Sequence, residues 1–327
     1  MSVGCSAALT GAGTPKALAG ALVWAVAASA MRPGWAEAML LLATLVVIPL
    51  GLGLVAPPDS RGPSPLAWRA ACGLQLPAAL LLVASFALPA GPRAASLALP
   101  WLVETGLVAL LGLFRLREGR RSVDEVATSA GLMYLAIGGG WALLSRAGMR
   151  PLGFPDVIVL MTAVHFHYAG FALPLLAGRV TRETGGAWGS IAALGVIAGV
   201  PLVALGITDT QVSPGVLPPH SLELVAAWGL AGITALVGVL ELRVAARPGR
   251  PGLMRFFLAV SGLAVVGTMS LAGLYALGGY TTVVRISIQP MIRYHGVINA
   301  LGFALPGLLA WTLTDPGPPG GEPARRR

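Results

Sequence analysis

Two of the chain's four histidines, His165 and His167, stand two residues apart within an apolar run, "MTAVHFHYAGFALPLLAG" (Met161–Gly178). A third, His295, opens a shorter echo later in the chain, "YHGVINALGFALPGLLAW" (Tyr294–Trp311). Both segments carry GFALP with histidine upstream. An imidazole can take up a proton, ligate a transition metal or hold an axial haem position. Glu104 places a carboxyl inside a further apolar run. A charge at the centre of a bilayer costs on the order of 3 kcal/mol on insertion scales, so such groups face protein or water and mark candidate sites.

Spacing sorts these residues by face. Two positions on a helix are about 200° apart, so His165 and His167 point to nearly opposite sides and cannot chelate one ion together. His165 shares a side with Thr162 and Tyr168, and His167 with Ala163, Gly170 and Pro174. In the echo, His295, Asn299, Gly302 and Pro306 fall on one face. Superposing the two GFALP motifs sets Asn299 level with His167 and His295 about 6 Å further out. The expectation is that the two helices are neighbours and that His167, His295 and Asn299 face one polar pocket. The candidate substrate- or proton-binding set is His165, His167, His295, Asn299, Glu104 and Tyr168. A metal, if bound, would go to His167 and His295; a haem or transition-metal ion is compatible with these histidines but not required by them.

Each GFALP proline crowds the carbonyl four residues back, which belongs to a glycine in both copies. Gly170 with Pro174, and Gly302 with Pro306, are therefore expected to kink their helices and to act as hinges.

The elements that carry these residues follow from composition. Of 327 residues, 56% are hydrophobic and 11% charged, against about 25% charged in soluble domains; mean hydropathy is +0.79. Many runs reach the ~18–20 apolar residues that cross a bilayer, and none shows the period-2 alternation of a membrane barrel. The fold class is an all-α polytopic transmembrane helical bundle of about ten spans: 17–31, 36–55, 70–90, 95–114, 123–145, 154–177, 189–207, 220–242, 256–279 and 293–313. Residues 1–314 read as a single transmembrane domain and 315–327, rich in Pro and Gly, as a disordered cytoplasmic tail. Span 1 is short and ends in a small-residue run resembling a signal-peptide cleavage site; it reads as a retained helix.

The net charge of +9 suggests membrane orientation rather than nucleic acid. With both termini cytoplasmic, the basic loops around Arg61, Arg115–Arg121, Arg179, Arg243–Arg255 and Arg325–Arg327 fall inside. Arg146, Arg150, Arg285 and Arg293 fall outside, where they would form a basic mouth favouring anions. Arginine in place of lysine, with much Ala, Gly and Pro, fits GC-rich bacterial coding and hence the bacterial inner membrane. Two cysteines, Cys5 and Cys72, offer no disulfide framework.

Other polar groups have blander readings. Asp124, Glu125, Asp156 and Glu241 lie near span ends, where interfacial water would solvate them. His220 and Glu223 share a face at the outer end of span 8, and Gln75 lies in span 3. Glycines such as Gly138–Gly140 and the pair Gly195/Gly199 suit close helix packing. No Walker A, HExxH, histidine-box array or GxSxG is present, so nothing outside the intramembrane cluster reads as catalytic.

The segments "HFHYAGFALPLLAG" and "YHGVINALGFALPGLLAW" resemble the YndJ-like family of bacterial multi-pass membrane proteins. The resemblance implies a membrane location and carries over no site residues. Three functions remain open: a transporter or permease of a small molecule or ion, a haem- or metal-binding oxidoreductase or sensor, and a non-catalytic assembly partner in the bilayer.

Overall fold

The structure, a computed structural model, describes residues 13–55, 64–212, 221–278, 281 and 286–313. The described residues form ten helices and no strand: α1 (Gly13–Met31), α2 (Trp35–Leu54), α3 (Ser64–Phe86), α4 (Pro92–Arg117), α5 (Val123–Ala147), α6 (Asp156–Thr184), α7 (Gly186–Val212), α8 (Ser221–Ala246), α9 (Gly252–Gly278) and α10 (residues 288–312). The first nine are long and apolar enough to cross a membrane, and α10 stands where the tenth span is expected. His220, Arg285 and the 315–327 tail lie outside the described residues.

Local chemistry sets the helix ends. Pro92 at the first turn of α4 follows Gly91, and the N-terminal amide at Gly34 donates to Glu37 Oε2 at 2.9 Å. α5 stops at Gly148, which takes the left-handed conformation (φ 71°) that a side chain disfavours.

α2 is the most enclosed helix, 83% buried over its apolar window against 17% for α1. It packs on α1, α3, α6 and α10. α6 is the second central helix and touches α2, α5, α7, α8 and α10. The remaining helices follow one another as antiparallel neighbours, α3–α4–α5 leading into α6 and α7–α8–α9 leading into α10.

The three inner helices share a device. Each contains a π turn that ends just before a proline: Ala43–Val47 before Pro49 in α2, Tyr168–Ala172 before Pro174 in α6, and Asn299–Ala304 before Pro306 in α10. Proline lacks an N–H and its ring strikes the carbonyl four residues back. One extra residue in the preceding turn moves that carbonyl aside while the neighbours keep their bonds at i+5. The expected kinks at Gly170/Pro174 and Gly302/Pro306 are thus π turns. Pro77, Pro100 and Pro201 sit in helices without one. The π-bearing helices are four apart in the chain, and each packs against the other two.

Ion pairs fix the arginine-rich side. Arg115 and Arg182 both bind Glu125, Arg182 also binds Asp124 at 2.7 Å, and Glu183 binds Arg247 and Arg250. On the opposite side Arg146 is buried, donating to the carbonyls of Ser85 (2.9 Å) and Leu88 (2.6 Å) at the end of α3. Arg150 pairs with Asp156, and Arg293 lies beside the Trp35 and Tyr294 rings.

Candidate functional site

A cavity of about 240 Å³ lies between α6, α7, α8, α9 and α10, just below the ~300–1,000 Å³ usual for ligand pockets. Its wall is mostly apolar: Met161, Val164, Leu173, Val203, Leu230, Met269 and Phe303 among others. Its polar groups are His165 and Tyr168 from α6, Glu223 and Thr234 from α8, Tyr275 from α9, and His295 and Asn299 from α10.

His295 and Asn299 are already engaged with α9. His295 Nδ1 donates to the Thr268 carbonyl at 3.1 Å, and its Nε2 accepts from Asn299 Nδ2 at 3.2 Å. The Thr268 hydroxyl donates to Asn299 Oδ1 at 2.7 Å. The bonds close on one neutral tautomer of His295, with the proton on Nδ1. His165 differs: its Nε2 is buried and has no hydrogen-bond partner among the described residues. The Thr234 hydroxyl is likewise buried and unpartnered among them. Tyr168 lends its ring to the wall while its hydroxyl donates to the Met39 carbonyl of α2 at 2.9 Å. Among the described cavity residues, the buried polar atoms left without a partner are thus His165 Nε2 and the Thr234 hydroxyl.

His167 is not part of this cavity. It turns to α4 and α5, where Trp101 Nε1 donates to its Nε2 at 3.0 Å and its Nδ1 donates to the Ala163 carbonyl at 2.7 Å. The ring is fully buried and lies near-parallel to that of Trp101. Gly138 makes room for it; a β-carbon there would sit 2.7 Å from Nδ1. The expected pocket shared by His167, His295 and Asn299 is thus corrected: α6 and α10 are neighbours, but the histidine that joins His295 is His165. The reason is that each inner helix turns this position toward its own preceding partner, His167 toward α4 and α5 and Asn299 toward α9.

The second half of the expected stripe also breaks. His295 and Asn299 line the cavity, whereas Gly302 faces Ala264 of α9. Through the π turn the wall is read at intervals of four, as Met291, His295, Asn299 and Phe303, not along the α-helical stripe that would continue through Gly302 and Pro306.

Glu104 is fully buried but does not line the cavity. Lys16 of α1 and Cys72 of α3 are its electrostatic neighbours, and neither carboxyl oxygen has a hydrogen-bond partner among the described residues. Glu241 overturns its interfacial reading, being fully buried and bonded to Ser261. Among the described residues no group of three or more His, Cys, Asp or Glu side chains is placed to hold a metal ion, and both nitrogens of His167 and of His295 are bonded to different neighbours. No Arg or Lys is among the described residues lining the cavity; Arg146 and Arg150 are bonded elsewhere, Arg293 lies beside the Trp35 and Tyr294 rings, and Arg285 is outside the described residues.

Sequence reasoning did not single out Thr268, Thr234 or Ser261. Their hydroxyls gave no usable signal, because a helical Ser or Thr commonly bonds the carbonyl three or four residues back in its own helix. Thr44, Thr162 and Thr181 do so here.

The family model of YndJ-like proteins matches residues 38–303. The chain is 31% identical over 225 residues to the "Uncharacterized membrane protein YndJ" of Bacillus subtilis (strain 168), covering 68% of this chain and 39% of that relative. The chain thus spans about two-fifths of that relative's length. No solved structure matches it. The helices crossed by the match include the three π-bearing ones and the whole wall of the cavity as far as Phe303, and on that match the chain belongs to the YndJ-like family of membrane proteins.

Proposed function

We propose that the chain is a carrier of the bacterial inner membrane for a small, mostly apolar solute with one hydrogen-bonding group. The observation that carries this is the cavity between α6 and α10, with an apolar wall and a buried His165 Nε2 left without a partner among the described residues. A buried polar atom without a partner costs about 1–3 kcal/mol, and a solute that supplies the missing bond recovers it. Glu223 and the absence of Arg and Lys from the described wall favour a neutral or cationic group over an anion. Three inner helices each carry a π turn before a proline, and two of them, α6 and α10, line the cavity, the kind of local departure that often accompanies functional sites.

The test is flux in proteoliposomes across a panel of small neutral alcohols, amides and primary amines. Wild-type protein is expected to carry at least one class. His165→Leu is expected to lower that flux at least tenfold, and Ala231→Trp, which fills the cavity, to abolish it. A folded, monodisperse wild type that carries no member of the panel overturns the reading. A His165→Leu variant that transports like wild type removes His165 from it.

A further inference from the structure

Glu241 lies on the face of α8 that builds the cavity wall. Glu223, Ala227, Leu230 and Thr234 line the cavity, and Glu241 continues the stripe two turns further, about 10 Å beyond Thr234. Its side chain is fully buried. Oε2 accepts from the Ser261 hydroxyl of α9 at 2.7 Å, while Oε1 has no partner among the described residues. The same hydroxyl is 3.0 Å from the Phe303 carbonyl. Phe303 belongs to the π turn of α10 and is itself part of the cavity wall.

A hydroxyl has one proton to give. Ser261 stands between two acceptors and can satisfy only one at a time. With Glu241 ionised, the Ser261 proton is drawn to the carboxylate, since a charged acceptor makes the stronger bond. The Phe303 carbonyl then loses its side-chain donor. With Glu241 protonated, the carboxyl O–H donates to the Ser261 oxygen, and Ser261 is free to donate to Phe303. One proton on Glu241 therefore decides whether a carbonyl in the π turn of α10 receives a side-chain hydrogen bond from α9.

We propose that Glu241 is a proton-binding site whose occupancy is passed through Ser261 to the π turn of α10, coupling proton binding to the shape of the cavity. Among the described residues Ser261 is the only group that acts on Glu241, and no titratable or charged side chain of α6, α7, α9 or α10 does so. The site thus responds to the proton and not to a competing ion pair. The coupling deepens the carrier reading above and rests on it only for its use; proton binding itself stands or falls on solute-free protein.

The experiment is an infrared pH titration of purified, solute-free protein, read together with amide hydrogen exchange. A protonated-carboxyl C=O band that titrates in wild type is expected to be missing in Glu241→Gln. Exchange at residues 299–304 is expected to be severalfold faster in the ionised form than in the protonated form. Ser261→Ala is expected to keep the titrating band and lose the pH dependence of exchange. Glu241→Gln, an amide of the same size, guards against a folding defect and should fix exchange at one pH-independent level. A wild type with no band removed by Glu241→Gln overturns the proposal. So does unchanged pH dependence of exchange in Ser261→Ala. If the titration behaves as expected and the solute panel shows no flux, the carrier reading fails and the proton site stands. If flux is present and the titrating band absent, the reverse holds.

Discussion

Trp101 donates its indole N–H to His167 Nε2 across 3.0 Å, with the two rings near-parallel at 15°. With Nδ1 bonded to the Ala163 carbonyl, both nitrogens of His167 are used, and the imidazole bridges α4 to α6 as a neutral group. The histidine most prominent in the sequence therefore acts as packing.

This arrangement makes Trp101→Phe informative. It leaves His167 Nε2 buried without its donor, at a cost of about 1–3 kcal/mol, on top of lost packing. A lower midpoint of thermal unfolding in detergent is expected, with solute flux per folded molecule unchanged, because neither residue lines the cavity. Flux that falls while the unfolding midpoint holds would place His167 back in the working site.

Glu104 leads to the opposite expectation. Its two oxygens are buried with no hydrogen-bond partner among the described residues. Replacing such a group by an apolar one of similar size removes a desolvation cost and breaks no bond. Glu104→Leu is expected to be as stable as wild type or more so, by up to about 1–3 kcal/mol, read from its thermal unfolding. A clear loss of stability would show that the carboxyl holds a partner, and Lys16, its electrostatic neighbour across α1, is the residue to test next.

The membrane architecture was legible because it rests on run length and composition, which act locally. The ten expected spans fall on helices, nine of them long and apolar enough to cross a membrane, and the two GFALP segments do lie on neighbouring helices. Which face looks where was less legible. The 100° step per residue separates His165 from His167 correctly, but it cannot tell which of the two faces meets α10. That choice depends on Trp101 and Gly138, residues from α4 and α5 far away in sequence. The α-helical stripe from His295 to Pro306 failed for a different reason: the π turn of Asn299–Ala304 changes the period within the stripe itself. A third copy of the proline device, at Pro49 in α2, was hidden because its flanking residues share little with GFALP. The burial of Glu241 could not be read at all from its place near a helix end, since the contact it makes there is with Ser261 of α9, 20 residues on.

The π turns set up the last prediction. Pro174 has no N–H and its ring displaces the carbonyl four residues back, so the turn at Tyr168–Ala172 takes the extra residue. In Pro174→Ala that conflict is gone. The new N–H can bond in an α-helical register, and the segment before it must then rotate by about 100° relative to the rest of α6. His165 and Tyr168, which line the cavity, would turn with it. Slower amide exchange over residues 168–174 and a loss of solute flux are expected together. Pro201→Ala is the control: α7 has no π turn at that proline, so it should gain local protection without a change of register. If Pro174→Ala leaves exchange and flux as they are, the turn is held by its packing against α2 and α10 and not by the proline. The pairing of Gly51 with the Phe171 ring, which lies within 2.5 Å of where a β-carbon would stand, would then be the contact to probe.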